Sequence, residues 1–138
     1  MSSLPMTDTS RHHSRPTVLV AEDHEDSRLL FKFFLESKGC RVVEAADGLE
    51  AVTAAEREHP DLVLMDVSLP GLDGLSATRR LRAQESLHAL PVVIISGHAA
   101  ARDRDEAVAA GCSEYLTKPL EMKQLAGVLE RHVRPRAA

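Results

Sequence analysis

The sequence predicts one doubly wound α/β domain, and three observations carry that expectation. Short strand-like runs recur along the chain: VLVA at 18–21, RVVEA at 41–45, LVLMD at 62–66, PVVIIS at 91–96 and EYLTK at 114–118. Segments with apolar residues at helical spacing separate them, and such strand-helix-strand crossovers are right-handed and build a parallel sheet covered on both sides. The 138 residues suit one domain, and with 43% hydrophobic residues, 3% aromatics and no Trp, the core must be aliphatic.

Residues 1–16, MSSLPMTDTSRHHSRP, are polar and without a period, so a loose tail is expected, with His12 and His13 a solvated pair rather than metal ligands. The first strand leads into a helix over 26–38, where Leu30, Phe33 and Phe34 share a face and Gly39 supplies the stop. After the second strand, Asp47-Gly48 opens a helix with Leu49, Val52 and Ala55 or Glu56 one turn apart, closing before Pro60. A loop with Pro70, Gly71 and Gly74 follows the third strand, then a helix over 75–83 marked by Leu75, Thr78, Leu81 and Arg82. Pro91 introduces the fourth strand, and the helix after it covers 100–110 and stops at Gly111. The fifth strand gives way at Pro119 to a helix carrying Met122, Leu125, Val128 and Leu129 on one face.

Charge and cysteine content exclude several classes. A formal net charge of -4, a pI near 6.0 and no Lys/Arg run argue against direct nucleic-acid binding. Cys40 and Cys112 lack CxxC spacing and are expected to be small buried hydrophobes in a reducing compartment. No apolar stretch approaches the roughly 20 residues that span a bilayer, and no signal peptide is evident, so a cytoplasmic, soluble protein is expected.

Folds of this kind bind ligands outside the carboxyl ends of their strands. Glu22 and Asp23 follow the first strand, Asp66 ends the third, Ser96 the fourth, and Lys118 followed by Pro119 the fifth. Taken singly, each has an ordinary explanation: Asp23 or Asp26 as a helix N-cap, Ser96 as a loop hydroxyl, Lys118 as a solvated charge. Together, three converging carboxylates repel one another and call for a hard cation, which suits Mg²⁺. A lysine and a hydroxyl facing that cation complete a phosphate site, and Asp66 beside it suggests a carboxylate nucleophile forming an aspartyl phosphate.

VLVAEDHEDSR, VVEAADGLEA, DLVLMDVSLPGLDG, PVVIISG and AGCSEYLTKP, spread over about residues 17–133, resemble in order and spacing the receiver domain of two-component response regulators. The resemblance implies a flavodoxin-like (βα)5 fold with strand order 2-1-3-4-5. It implies that Asp66 accepts a phosphoryl group from a histidine kinase or a histidine phosphotransfer protein. Asp23, Asp66 and the Ser68 backbone carbonyl would ligate Mg²⁺, with Glu22 acting through water. Lys118 would pair with the phosphoryl group, and the Lys118-Pro119 bond would be cis. Ser96 and Tyr115 stand where the family has its switch pair, whose movement remodels the surface of the fourth helix, fifth strand and fifth helix for an output partner. Glu22 departs from the commoner Asp and Cys112 from Ala, while Ser68 and His98 occupy positions that tune the phosphoryl lifetime.

The expected organisation is a tail over 1–16, a receiver domain over 17–134 and a short C-terminal tail over 135–138, acting alone as a monomer or weak dimer. It would be a phosphoacceptor switch rather than an enzyme, with only self-catalysed phosphotransfer and dephosphorylation. A receiver cut from a multidomain regulator or hybrid histidine kinase would look the same. An Asp-nucleophile phosphohydrolase is disfavoured because Val67-Ser68, not a second Asp two residues on, follows Asp66. A phosphorylation-independent binding module is the remaining alternative. The charged run at 101–106, ARDRDE, is either a solvated face or a docking site on the fourth helix.

Overall fold

A computed structural model describes residues 15–98 and 100–133. Strands β1 (Thr17–Ala21), β2 (Arg41–Ala45), β3 (Leu62–Asp66), β4 (Val92–Ser96) and β5 (Glu114–Thr117) form one parallel sheet in the order β2-β1-β3-β4-β5. Between and after them run helices α1 (Glu25–Ser37), α2 (Gly48–Glu58), α3 (Gly74–Arg82), α4 (Ala101–Ala110) and α5 (Met122–His132). A 3₁₀ turn, Glu85–Leu87, which the apolar pattern did not reveal, bridges α3 and β4. His12, His13 and the segment 135–138 lie outside the described residues.

Side chains alternate along each strand, and both faces of the sheet are buried. Val18 and Val20 of β1, Leu62 and Leu64 of β3, and Val93 and Ile95 of β4 pack against Phe31 and Leu35 of α1 and Leu125, Val128 and Leu129 of α5. Leu19, Val63, Met65, Val92 and Ile94 face the other way, against Ala51, Val52, Ala54 and Ala55 of α2, Ala77 and Leu81 of α3, and Ala107 of α4. The continuous apolar runs of β1, β3 and β4 follow directly from this double coverage.

Helix α1 differs from the sequence expectation in the face it buries, whereas the expected Leu81 of α3 and Leu125, Val128 and Leu129 of α5 are buried. On α1, Phe31 and Leu35 are buried, whereas Leu30 and Phe33 are 56% and 64% exposed. On α2 the expected Val52 and Ala55 are buried beside Ala51 and Ala54, and Leu49 is exposed. Neither Asp23 nor Asp26 caps α1: the N-cap is His24, without a side-chain cap bond. Asp47 and Asp73 do cap, accepting from the amides of Glu50 at 2.7 Å and Ser76 at 2.8 Å. Cys40 is buried, but Cys112 is only half-buried, and both are free thiols.

Two contacts fix α3, one at each end of the sheet. Gly74 opens α3 so close to β3 that a Cβ there would stand 2.2 Å from the Asp66 carbonyl oxygen. At the other end of α3, the Arg82 guanidinium donates to the carbonyls of Gly111 at 2.8 Å, Leu90 at 2.6 Å and His88 at 3.2 Å. Among the described residues, no helix is long and apolar enough to cross a membrane.

Candidate functional site

Parallel strands share one direction, so all five end on the same rim. Asp66, the last residue of the central strand β3, is 4% exposed; Glu22, directly after β1, is 1% exposed. The Lys118 ammonium donates to Asp66 Oδ2 at 2.7 Å and reaches Glu22 Oε1 at 3.4 Å. The Ser68 amide donates to Asp66 Oδ1 at 2.8 Å. Lys118 is itself placed by its backbone amide, which donates to the Ser96 carbonyl at 2.8 Å, and it precedes a cis bond to Pro119. With all three groups held by backbone on separate strands, the carboxylate has little freedom to rotate away.

The electrostatics set two carboxyls against one ammonium. Burial raises the Glu22 carboxyl above its ordinary value, and contact with Asp66 raises it further, more than the His24 amide and Lys118 lower it. Burial also pushes Asp66 up, but hydrogen bonds from Lys118, Glu22 and the Ser68 amide together outweigh it and hold Asp66 below the usual range. Burial lowers the Lys118 ammonium, yet its bond to Asp66 and the charges of Asp66 and Glu22 raise it overall. The arrangement is therefore an ionised Asp66 against a charged Lys118, with Glu22 the carboxyl that retains a proton more readily.

Asp23 sits at the open edge, its side chain one-third exposed, and His24 Nδ1 lies 3.4 Å from Asp23 Oδ1 and 3.2 Å from Glu22 Oε2. Ligand atoms of Glu22, Asp23 and His24 fall within 4.8 Å of one another. Below them, Arg28 Nη1 donates to the Glu22 carbonyl at 2.9 Å while its Nε donates to Glu44 at 3.1 Å, tying the end of β1 to the edge strand. Sequence reasoning named neither His24 nor Arg28 as part of the site. The signal for Arg28 was its place one turn into α1 after the acidic pair, where an arginine can reach back to the strand end.

Ser96 and Tyr115 form a second cluster. Ser96 is 2% exposed, and its Oγ accepts from the His98 amide at 3.0 Å rather than meeting the carboxylates. The Tyr115 ring is buried, and its hydroxyl donates to the His98 carbonyl. A cavity of about 480 Å³ opens beside Lys118 and Pro119, walled by Leu30 and Phe31 of α1 and by Leu120.

Comparison with known proteins accords with this geometry. The family model of the response regulator receiver domain matches residues 18–130. The chain belongs to that family. This receiver is 41% identical over 117 residues to the sensor protein GacS of Pseudomonas syringae pv. syringae, a match over 83% of this chain and 13% of GacS. It is 32% identical to the polar-differentiation response regulator DivK of Brucella ovis, over 85% of this chain and 95% of DivK. Among solved structures, it superposes with a TM-score of 0.80 at 39% identity on the receiver domain of the sensor histidine kinase PA1611 from Pseudomonas aeruginosa PAO1, covering 86% of this chain and 97% of that one. That receiver carries a magnesium ion coordinated in its active-site cleft. The chemotaxis protein CheY4 of Vibrio cholerae gives a TM-score of 0.81 at 26% identity, over 86% of this chain and 99% of CheY4. The receiver thus has the CheY-like flavodoxin fold and belongs to two-component signalling.

Proposed function

We propose that this receiver takes a phosphoryl group on Asp66 from a phosphohistidine and relays it as a change of surface. The observation that carries this reading is the buried Asp66 carboxylate at the end of β3, 2.7 Å from the Lys118 ammonium. A carboxylate oxygen of Asp66 would attack phosphorus as the P–N bond of the donor breaks, the electron pair remaining on the donor's imidazole. Lys118 would exchange its bond to Asp66 for one to the incoming phosphoryl oxygens, neutralising part of their charge.

The donor set fits Mg²⁺. Glu22, Asp23 and Asp66 offer hard carboxylate oxygens in excess over the one ammonium of Lys118. Asp23, Asp66 and the Ser68 carbonyl would hold the ion, with Glu22 acting through water. When bound, it supplies charge neutralisation for the phosphoryl oxygens.

Ser96 and Tyr115, both on His98, are the candidate switch, and the surface of α4, β5 and α5 is the candidate output face. The exposed Leu30 lines the cavity beside Lys118, and with the exposed Phe33 on the same helix it would offer an apolar face to the donor, a histidine kinase or phosphotransfer protein. The protein acts as a cytoplasmic phosphoacceptor rather than as an enzyme with turnover.

The test is incubation with Mg²⁺ and acetyl phosphate, followed by intact mass measurement. One base-labile phosphoryl adduct is expected in the natural chain and none in Asp66→Asn. No adduct from acetyl phosphate or from any phosphorylated histidine kinase overturns the reading, and sustained phosphate release from unrelated monoesters would favour a hydrolase.

A further inference from the structure

The charged run at 101–106 lies on α4, and one of its members has a specific partner. Arg104 holds its guanidinium carbon 5.0 Å from the centroid of the Tyr115 ring. Among the described residues it forms no ion pair, so the ring is what the cation meets. The same ring is 7% exposed and is tethered by its hydroxyl to the His98 carbonyl. Tyr115 is thus held at two points, its hydroxyl by the segment after β4 and its face by α4. An open cavity of about 330 Å³, lined by Arg104, Val108, Cys112 and Tyr115 among others, adjoins the ring and leaves it room to leave.

We propose that Arg104 is a positioning residue for Tyr115: its cation holds the ring in the buried orientation and so sets the resting balance of the switch before any phosphoryl group arrives. The role in switching rests on the reading of Ser96 and Tyr115 above, whereas the hold on the ring does not. A guanidinium over a ring face is attracted by the ring's quadrupole, and at an exposed site the attraction is modest. A contact made in only one of two conformations shifts their ratio by its own free energy. Removing this one should raise the ratio of exposed to buried ring about two- to five-fold.

Tyr115 is the single tyrosine and the chain has no tryptophan, so intrinsic fluorescence reports this ring alone. The experiment is acrylamide quenching of the unphosphorylated full chain in three forms: natural, Arg104→Met, which keeps an apolar arm without the charge, and Arg104→Lys, which keeps a cation. Higher quenching in Arg104→Met, with Arg104→Lys close to the natural chain, is expected. Equal quenching in all three, or a shift in Arg104→Lys as large as that in Arg104→Met, overturns the assignment whatever happens at Asp66. Absence of an acetyl phosphate adduct on Asp66 would remove the switch reading, while a quenching difference would still support Arg104 as the residue that positions the ring.

Discussion

Ser96 and Tyr115 share one residue: the Ser96 hydroxyl oxygen accepts the His98 N–H at 3.0 Å, and the Tyr115 hydroxyl donates to the His98 carbonyl. A displacement of either side chain therefore releases one half of the same residue. Ser96→Ala should leave the His98 amide without its protein partner, lowering stability by about 1 kcal/mol in urea denaturation. In that variant the tyrosine emission should no longer respond to phosphorylation at Asp66. A response of natural size would show that the ring moves without Ser96.

The raised Glu22 carboxyl gives stability a pH dependence with a definite sign. In metal-free buffer with a chelator, the native state keeps the Glu22 proton above about pH 4.3, where the unfolded chain has released it. Its contribution is fully present below that pH and is lost as pH rises through the higher native value. Asp66 runs the other way: its native value is lowered, so its contribution is present above about pH 3.9 and disappears in stronger acid. Urea denaturation across pH should show a decline above about pH 4.3 that Glu22→Gln flattens. A decline of equal slope in the variant would assign it to another group.

Gly74→Ala tests how tightly α3 is seated under Asp66. The added methyl would collide with the Asp66 carbonyl oxygen at 2.2 Å, and backbone cannot yield as a side chain does. A loss of about 3 kcal/mol is expected, with slower acetyl phosphate labelling in whatever fraction remains folded. Stability within error of the natural chain would mean that α3 can shift away freely.

Phe31 and Phe33 differ by two positions and by which side of α1 they occupy. Phe31→Ala should cost about 3 kcal/mol because it empties space against β1 and α5. Phe33→Ala should fall within about 0.5 kcal/mol, since that ring is 64% exposed. Thermal or urea unfolding of both variants decides the matter, and equal losses would contradict the buried face assigned to α1.

This last pair also shows where sequence was legible and where it was not. The strands were plain because β1, β3 and β4 are buried on both faces and leave no polar break. The run LLFKFFL on α1 fits helical spacing twice, once through Leu30, Phe33 and Phe34 and once through Phe31, Phe34 and Leu35. Hydrophobicity cannot choose between these stripes; the phase in which the helix leaves β1 does. On α2, Val52 and Ala55 were legible, but the buried Ala51 and Ala54 carry a weak hydrophobic signal and Leu49 carries a misleading one. Of the rim, Glu22, Asp66 and Lys118 could be named because strand ends in a parallel sheet must meet. The parts played by Arg28, His24 and the His98 backbone depend on how side chains and loops bend back toward those ends, which spacing along the chain does not encode.

The clamp of Arg82 on Gly111 gives α4 an uneven footing. At its carboxyl end the helix is moored to α3 by a guanidinium and closes on Gly111 with φ 102°. At its amino end Ala100 caps it without any side-chain bond, and along its length only Ala107 and Ala110 are buried. With one end moored and the other loosely seated, any displacement of α4 would be an angular sweep about Gly111, greatest at Ala101 and least where the arginine holds.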